Sequence, residues 1–234
     1  MDKLKSSRRQ ALACLGQLFA LSLVSVAARA QDAHSGHDMS KMPGHDMSQM
    51  QGHDMSNGAD PHAGHVADTS APVKRSMMEF KLTPTPLVRQ DGTKTTLSKE
   101  LGGNKPTVLA FFYTSCTTVC PVTSQILAGT QSLLGKDLEG ARIISISIDP
   151  EYDTPERLTA YAKKFDAKSQ WQHYTGTMQD SIAAQKVFGA YRGDKMNHVP
   201  LIFINGGGKK SWVQLQGFPT AEQVVKEFRE QKSS

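Results

Sequence analysis

Cys116 and Cys120 stand four residues apart in "FFYTSCTTVCPVTSQ", where an apolar run stops and a helix is expected to start. A strand-to-helix junction offers free backbone amides and the positive end of a helix dipole, both of which favour thiolate over thiol. Three chemistries suit such a pair. A structural disulfide is one, but a loop this short restrains the unfolded chain little and makes a poor staple. Thiol redox exchange is the second, although thioredoxin-type catalysts place two residues between their cysteines and this chain places Thr117, Thr118 and Val119 there. The third is metal chelation, which the wider spacing suits at least as well.

Two thiolates on one turn leave a soft ion such as Cu(I) short of a trigonal ligand set, so a third donor must come from elsewhere in the chain. Only His173 and His198 lie in the segment that reads as folded. His173 sits in a strand-like stretch after Trp171 and reads as an ordinary packed or surface residue. His198, in "DKMNHVPLIFING", lies in a loop just before an apolar strand. Pro200 there occupies the place of the proline that thioredoxin-like folds hold beside their redox pair, so His198 is the better candidate. Met196 reads as loop packing, with occasional soft ligation as the alternative. Asp149, Asp153 and Glu156 in "DPEYDTPE" suggest acid chemistry or hard-metal ligation. A strand exit at Asp149-Pro150 and a helix cap from Asp153 or Thr154 explain them more cheaply.

Six of the eight histidines lie instead between Gln31 and Val73, a segment that contains the repeat "SGHDMSKM", "PGHDMSQM", "QGHDMSNG" and then "DPHAGH". His34, His37, His45, His53, His62 and His65 are joined there by Met39, Met42, Met47, Met50 and Met55. With no aromatic residue and almost no branched aliphatic one, residues 31–75 cannot bury a core and are expected to be a disordered arm. Methionine has no packing role in such an arm. Its thioether suits Cu(I), and imidazole suits either copper state, so the repeat reads as an auxiliary copper collector. Histidine tracts also bind nickel or zinc, but neither calls for methionine.

Ahead of the arm, residues 1–30 carry basic residues through Arg9, an apolar run from Ala11, and Ala28-Arg29-Ala30, the pattern of an export signal cut before Gln31. Ser7-Arg8-Arg9 leaves Sec and twin-arginine export both open, and an uncleaved membrane anchor is the alternative to cleavage. The expected location is the periplasm or another extracytoplasmic space, with no stable membrane span after cleavage. Removal of the signal leaves 22 Lys and Arg against 21 Asp and Glu. The formal charge of +5 is therefore largely a targeting feature and does not argue for a nucleic-acid partner.

Residues 76–234 have the length of one domain. The pattern predicts a hairpin over 80–96 around Asp91-Gly92, strands over 108–113, 141–149, 171–175, 199–204 and 212–215, and helices over 122–134, 155–165, 179–188 and 221–228. "NGGGKK" is a turn between the last two strands. Strands alternating with helices and closing on a hairpin indicate an α/β sandwich of thioredoxin-like (peroxiredoxin-like) type with an N-terminal hairpin.

"FFYTSCTTVCP", "SISIDPEYDTPERLTAYAKKF" and "NHVPLIFI", in that order, resemble the SCO/SenC family of copper-handling thioredoxin-fold proteins from about Met78 to the C-terminus. The resemblance implies copper as cargo, held by Cys116, Cys120 and His198. It also implies delivery to the binuclear copper centre of cytochrome c oxidase subunit II, and in some members reduction of disulfides on the target. The sequence departs from the usual plan in its cleavable signal and its Met/His repeat, so copper tolerance or the loading of another copper enzyme stands as an alternative. A thiol:disulfide oxidoreductase is the rival enzymatic reading. A thiol peroxidase is disfavoured, since no peroxidatic pattern surrounds a lone cysteine. A monomer is expected.

Overall fold

The computed structural model describes residues 69–233. The export segment and the arm ligands His34 to His65 lie outside them. In chain order the strands are β1 (Lys74–Glu79), β2 (Pro86–Arg89), β3 (Lys94–Thr96), β4 (Thr107–Phe112), β5 (Arg142–Ser147), β6 (Trp171–Thr175), β7 (Leu201–Asn205) and β8 (Ser211–Gln216). The α-helices are α1 (Leu97–Leu101), α2 (Val119–Leu134), α3 (Pro155–Lys164), α4 (Met178–Val187) and α5 (Ala221–Ser233).

A continuous apolar run is stable as a strand only where both its faces are covered. That is the position of β4, every residue of which is buried. It lies between β7 and β5 in one mixed sheet ordered β1-β8-β7-β4-β5-β6-β2-β3. β5 and β6 run parallel to β4 and its neighbour, whereas β7 and β8 return antiparallel. Successive side chains of β4 point to opposite faces: Phe112 meets Tyr161 of α3, and Phe111 meets Phe188 beyond α4. Helices therefore cover both sides, as the thioredoxin-like reading requires.

The registers fix which ends of the strands coincide. Ala110 of β4 pairs with Ile202 near the start of β7. Leu201 pairs with Gln216 at the end of β8, and Gln216 pairs with Lys74 at the start of β1. The C-terminal end of β4, the loop before β7 and the first residue of β1 thus share one end of the sheet.

The hairpin turns at Gly92 (φ +83°) but pairs only over 86–96 rather than from Phe80. Pro84 and Pro86 supply no amide donors, and Phe80 instead packs against Phe188, Phe203 and Trp212. β1 starts at Lys74, within the stretch assigned to the arm, and is held to β8 by its backbone while its side chains stay largely exposed. His173 is fully buried in β6, as a packed residue. It stacks on Trp171 with Nδ1 at 3.0 Å from Gln90 Oε1, and burial lowers its pKa to about 3.

Candidate metal centre

β4 delivers the chain at Phe112 into the loop Tyr113–Thr118, and α2 begins at Val119. Helix α2 starts ahead of Val122, with Pro121 inside its first turn, where a missing amide costs nothing. Cys120 therefore belongs to that first turn. Thr118, the N-cap residue, makes no side-chain capping bond. A sulfur takes the role, because Cys116 Sγ accepts from the Cys120 amide at 3.3 Å.

Both cysteines are free and buried, Cys116 9 % and Cys120 1 % exposed. They share one proton unequally. The Cys120 thiol donates to Cys116, and backbone amides of Cys120 and Thr118 and the Tyr113 hydroxyl add to it; together these outweigh burial and hold Cys116 far below the usual thiol range. The same bond and deep burial push Cys120 far up. Burial, then the neighbouring Cys116, raises Tyr113 as well.

Asp153 positions this loop. Its buried carboxylate accepts from the Thr114 amide at 3.2 Å, from Thr114 Oγ1 at 2.5 Å and from Ser147 Oγ at 2.5 Å, tying the start of the cysteine loop to the end of β5. Burial raises its pKa against those bonds. The cap of α3 is Thr154, whose side chain accepts from the Arg157 amide, so of the two residues expected to cap that helix only Thr154 does so. Asp149 is 5 % exposed and pairs with Lys195 at 2.6 Å.

That ion pair anchors the short 3-10 turn Lys195–Asn197, which Asp194 caps by accepting from the Met196 amide at 2.8 Å. The turn sends Met196 outward, 74 % exposed rather than packed in the loop as the sequence suggested, and leads directly into His198. His198 Nε2 lies 3.1 Å from the Phe111 carbonyl. A carbonyl only accepts, so Nε2 carries the proton and Nδ1 keeps its lone pair. Burial lowers the His198 pKa, with the Phe111 carbonyl and the Cys116 charge acting the other way. The imidazole is thus neutral at pH 7, oriented by a backbone carbonyl as metal-ligating histidines commonly are.

The two sulfurs are together, then, and His198 stands at the same sheet end within reach of the Cys116 charge. Among the described residues, no three of His, Cys, Asp and Glu are gathered closely enough to hold a metal ion as they stand. Tyr113 and Lys195 carry no sequence signal for the site, whereas Asp149 is expected from the sequence to lie near the cysteines at the same sheet end without a ligand role, and its pairing with Lys195 agrees with that. The Asp153 signal existed, but "DTPE" reads first as a cap. No helix among the described residues is long and apolar enough to cross a membrane.

A family model described as SCO1/SenC matches residues 74–231. The SCO1 protein homolog of Bacillus subtilis (strain 168) is 29 % identical over 106 residues, 45 % of this chain and 54 % of that protein. The chain thus spans about half the length of that relative. Among solved structures, Bradyrhizobium japonicum ScoI with copper bound is 26 % identical, with TM-score 0.54 over 64 % of this chain and 98 % of its own. BsSco, described as a member of the Sco family of cytochrome c oxidase assembly proteins and as having a disulfide switch, shares the fold with TM-score 0.57 at 24 % identity, over 68 % of this chain and 96 % of its own.

Proposed function

The chain belongs to the SCO1/SenC family, and on that footing we propose that it is a periplasmic copper metallochaperone. Cys116, Cys120 and His198 are its cargo ligands, and it delivers copper to a copper enzyme, the binuclear centre of cytochrome c oxidase being the one the family points to. The supporting observation is two free cysteines at the N-terminal end of α2, where Cys116 Sγ itself caps the helix, with a neutral imidazole at the same end of the sheet. Two sulfurs and one imidazole suit Cu(I) better than a hard cation. The copper held by the Bradyrhizobium relative agrees with that choice. His198 ligates through Nδ1 while Nε2 stays on Phe111.

In this reading residues 31–75 collect copper through their histidines and methionines and raise its effective concentration beside the domain. Residues 1–30 direct export, and the mature protein is soluble. The test is an anaerobic Cu(I) titration of the reduced protein with and without residues 31–73. One equivalent stays with the domain and is lost in Cys116→Ser. His198→Ala weakens binding sharply with both thiols still titratable. Loss of the arm removes further equivalents, and unchanged stoichiometry refutes its collecting role.

The unequal proton sharing of Cys116 and Cys120 also suits a thiol:disulfide oxidoreductase, whose attacking sulfur must be a thiolate. Catalytic disulfide reduction by the apo-domain, lost in Cys116→Ser and untouched in His198→Ala, with no copper bound, would establish that reading instead.

A further inference from the structure

Met196 is a large apolar side chain left 74 % exposed at the edge of the site. Its backbone is nonetheless fixed on both sides: Asp194 accepts from its amide, the Lys195–Asp149 pair holds the preceding residue, and the His198 amide donates to the Lys195 carbonyl. Exposure gives Met196 no burial free energy, so packing does not account for the position. Its sulfur does have a partner, since the Tyr113 hydroxyl donates to Met196 Sδ at 3.7 Å. The same hydroxyl is near enough to Cys116 to help hold its pKa down. One phenol therefore stands between an outer thioether and an inner thiolate, and its single proton serves one sulfur at a time.

We infer that Met196 is the receiving ligand through which Cu(I) passes on its way to Cys116, with Tyr113 holding the thioether in place until the ion arrives. This rests on the copper reading of the preceding section and adds the route. A thioether is neutral and soft, so it takes Cu(I) without losing a proton and releases it readily. The sequence is ligand exchange throughout, and copper stays at +1. The ion's incoming ligand departs as Met196 Sδ binds, and the Cys116 thiolate then displaces Met196. When Cys120 closes on the ion its proton goes to solvent, while Tyr113 keeps its own. Because the step is reversible, Met196 accelerates loading and unloading alike and leaves the equilibrium constant unchanged.

The experiment mixes reduced wild type, Met196→Leu and Met196→His anaerobically with Cu(I) bicinchoninate in a stopped-flow instrument, then challenges the loaded proteins with excess chelator. Leucine keeps the bulk and removes the donor, and the exposed position makes misfolding no concern. Met196→Leu is expected to load and unload about tenfold more slowly, equivalent to about 1.4 kcal/mol of barrier, with the ratio of the two rates preserved. Met196→His, which restores a neutral copper donor, is expected to recover most of that loss. Leucine kinetics equal to wild type overturn the inference and leave the copper reading standing. A weaker affinity with unchanged loading overturns it too, by making Met196 a standing ligand. If wild type itself takes no copper, this inference falls together with the copper reading.

Discussion

Copper loading should release one proton per ion, and the number follows from the sulfur pair. An unperturbed thiol is only about 3 % ionised at pH 7, so two ordinary cysteines would give up nearly two protons on binding as thiolates. Here the Cys120 thiol donates to Cys116, which is already a thiolate at neutral pH, and only Cys120 still carries a proton. His198, neutral because burial lowers its pKa, contributes none. The pair thus releases about one proton, and affinity should rise about tenfold per pH unit through the neutral range rather than a hundredfold. The assay is anaerobic calorimetry with Cu(I) added to the reduced protein, lacking residues 31–73, in buffers of different ionisation enthalpy; the slope of observed heat against that enthalpy counts the protons. A count of two, unchanged from pH 6 to 8, refutes the thiolate assignment of Cys116, and a count of zero refutes the protonated state of Cys120.

Iodoacetamide at pH 6 should modify Cys116 and spare Cys120, as peptide mapping would show, and Cys120→Ala should slow that reaction by removing the donor that lowers Cys116. Asp153→Asn should cost roughly 2 to 4 kcal/mol in urea denaturation of the reduced domain, since it disrupts three bonds to a buried carboxylate; a loss under about 0.5 kcal/mol would place the anchoring of the cysteine loop elsewhere. His173, lowered by burial to about 3, contributes stability that is full above its unfolded value near 6.5 and is lost as pH falls toward its folded one. Wild type should therefore lose up to about 1.4 kcal/mol per pH unit below 6.5 relative to His173→Gln, measured as a difference of urea midpoints; equal slopes would contradict it.

The central strands were legible because burial on both faces writes an uninterrupted apolar run, as in β4 and β5. Helix α3 was legible from Thr154 and Pro155, a cap and a first-turn proline. β1 was not, because its side chains are mostly exposed and its pairing with β8 is a backbone matter that leaves no hydrophobic period. Spacing and residue type pointed to Cys116 and Cys120, and the loop before an apolar strand pointed to His198. Nothing in the sequence distinguished Tyr113 from the apolar run it ends, since its importance lies in where the hydroxyl falls between two sulfurs. In sequence Met196 reads as loop packing, because a methionine's exposure is decided by the turn that carries it.

The register of β1 also fixes where the arm is moored. Lys74 lies two strands from Leu201, through Gln216, which is about 10 Å at ordinary interstrand spacing. His65, nine residues ahead of Lys74, is on a leash of at most about 30 Å. The nearest imidazole of the repeat is thus no farther than that length of chain from Lys74, at the sheet end that carries the cysteine loop. Had β1 run the other way along β8, the length of the sheet would have been added to that journey. In the copper-collecting reading proposed above, lengthening that stretch with glycine and serine would dilute the histidines and methionines of residues 31–75 around the domain while leaving the described strands and helices as they are.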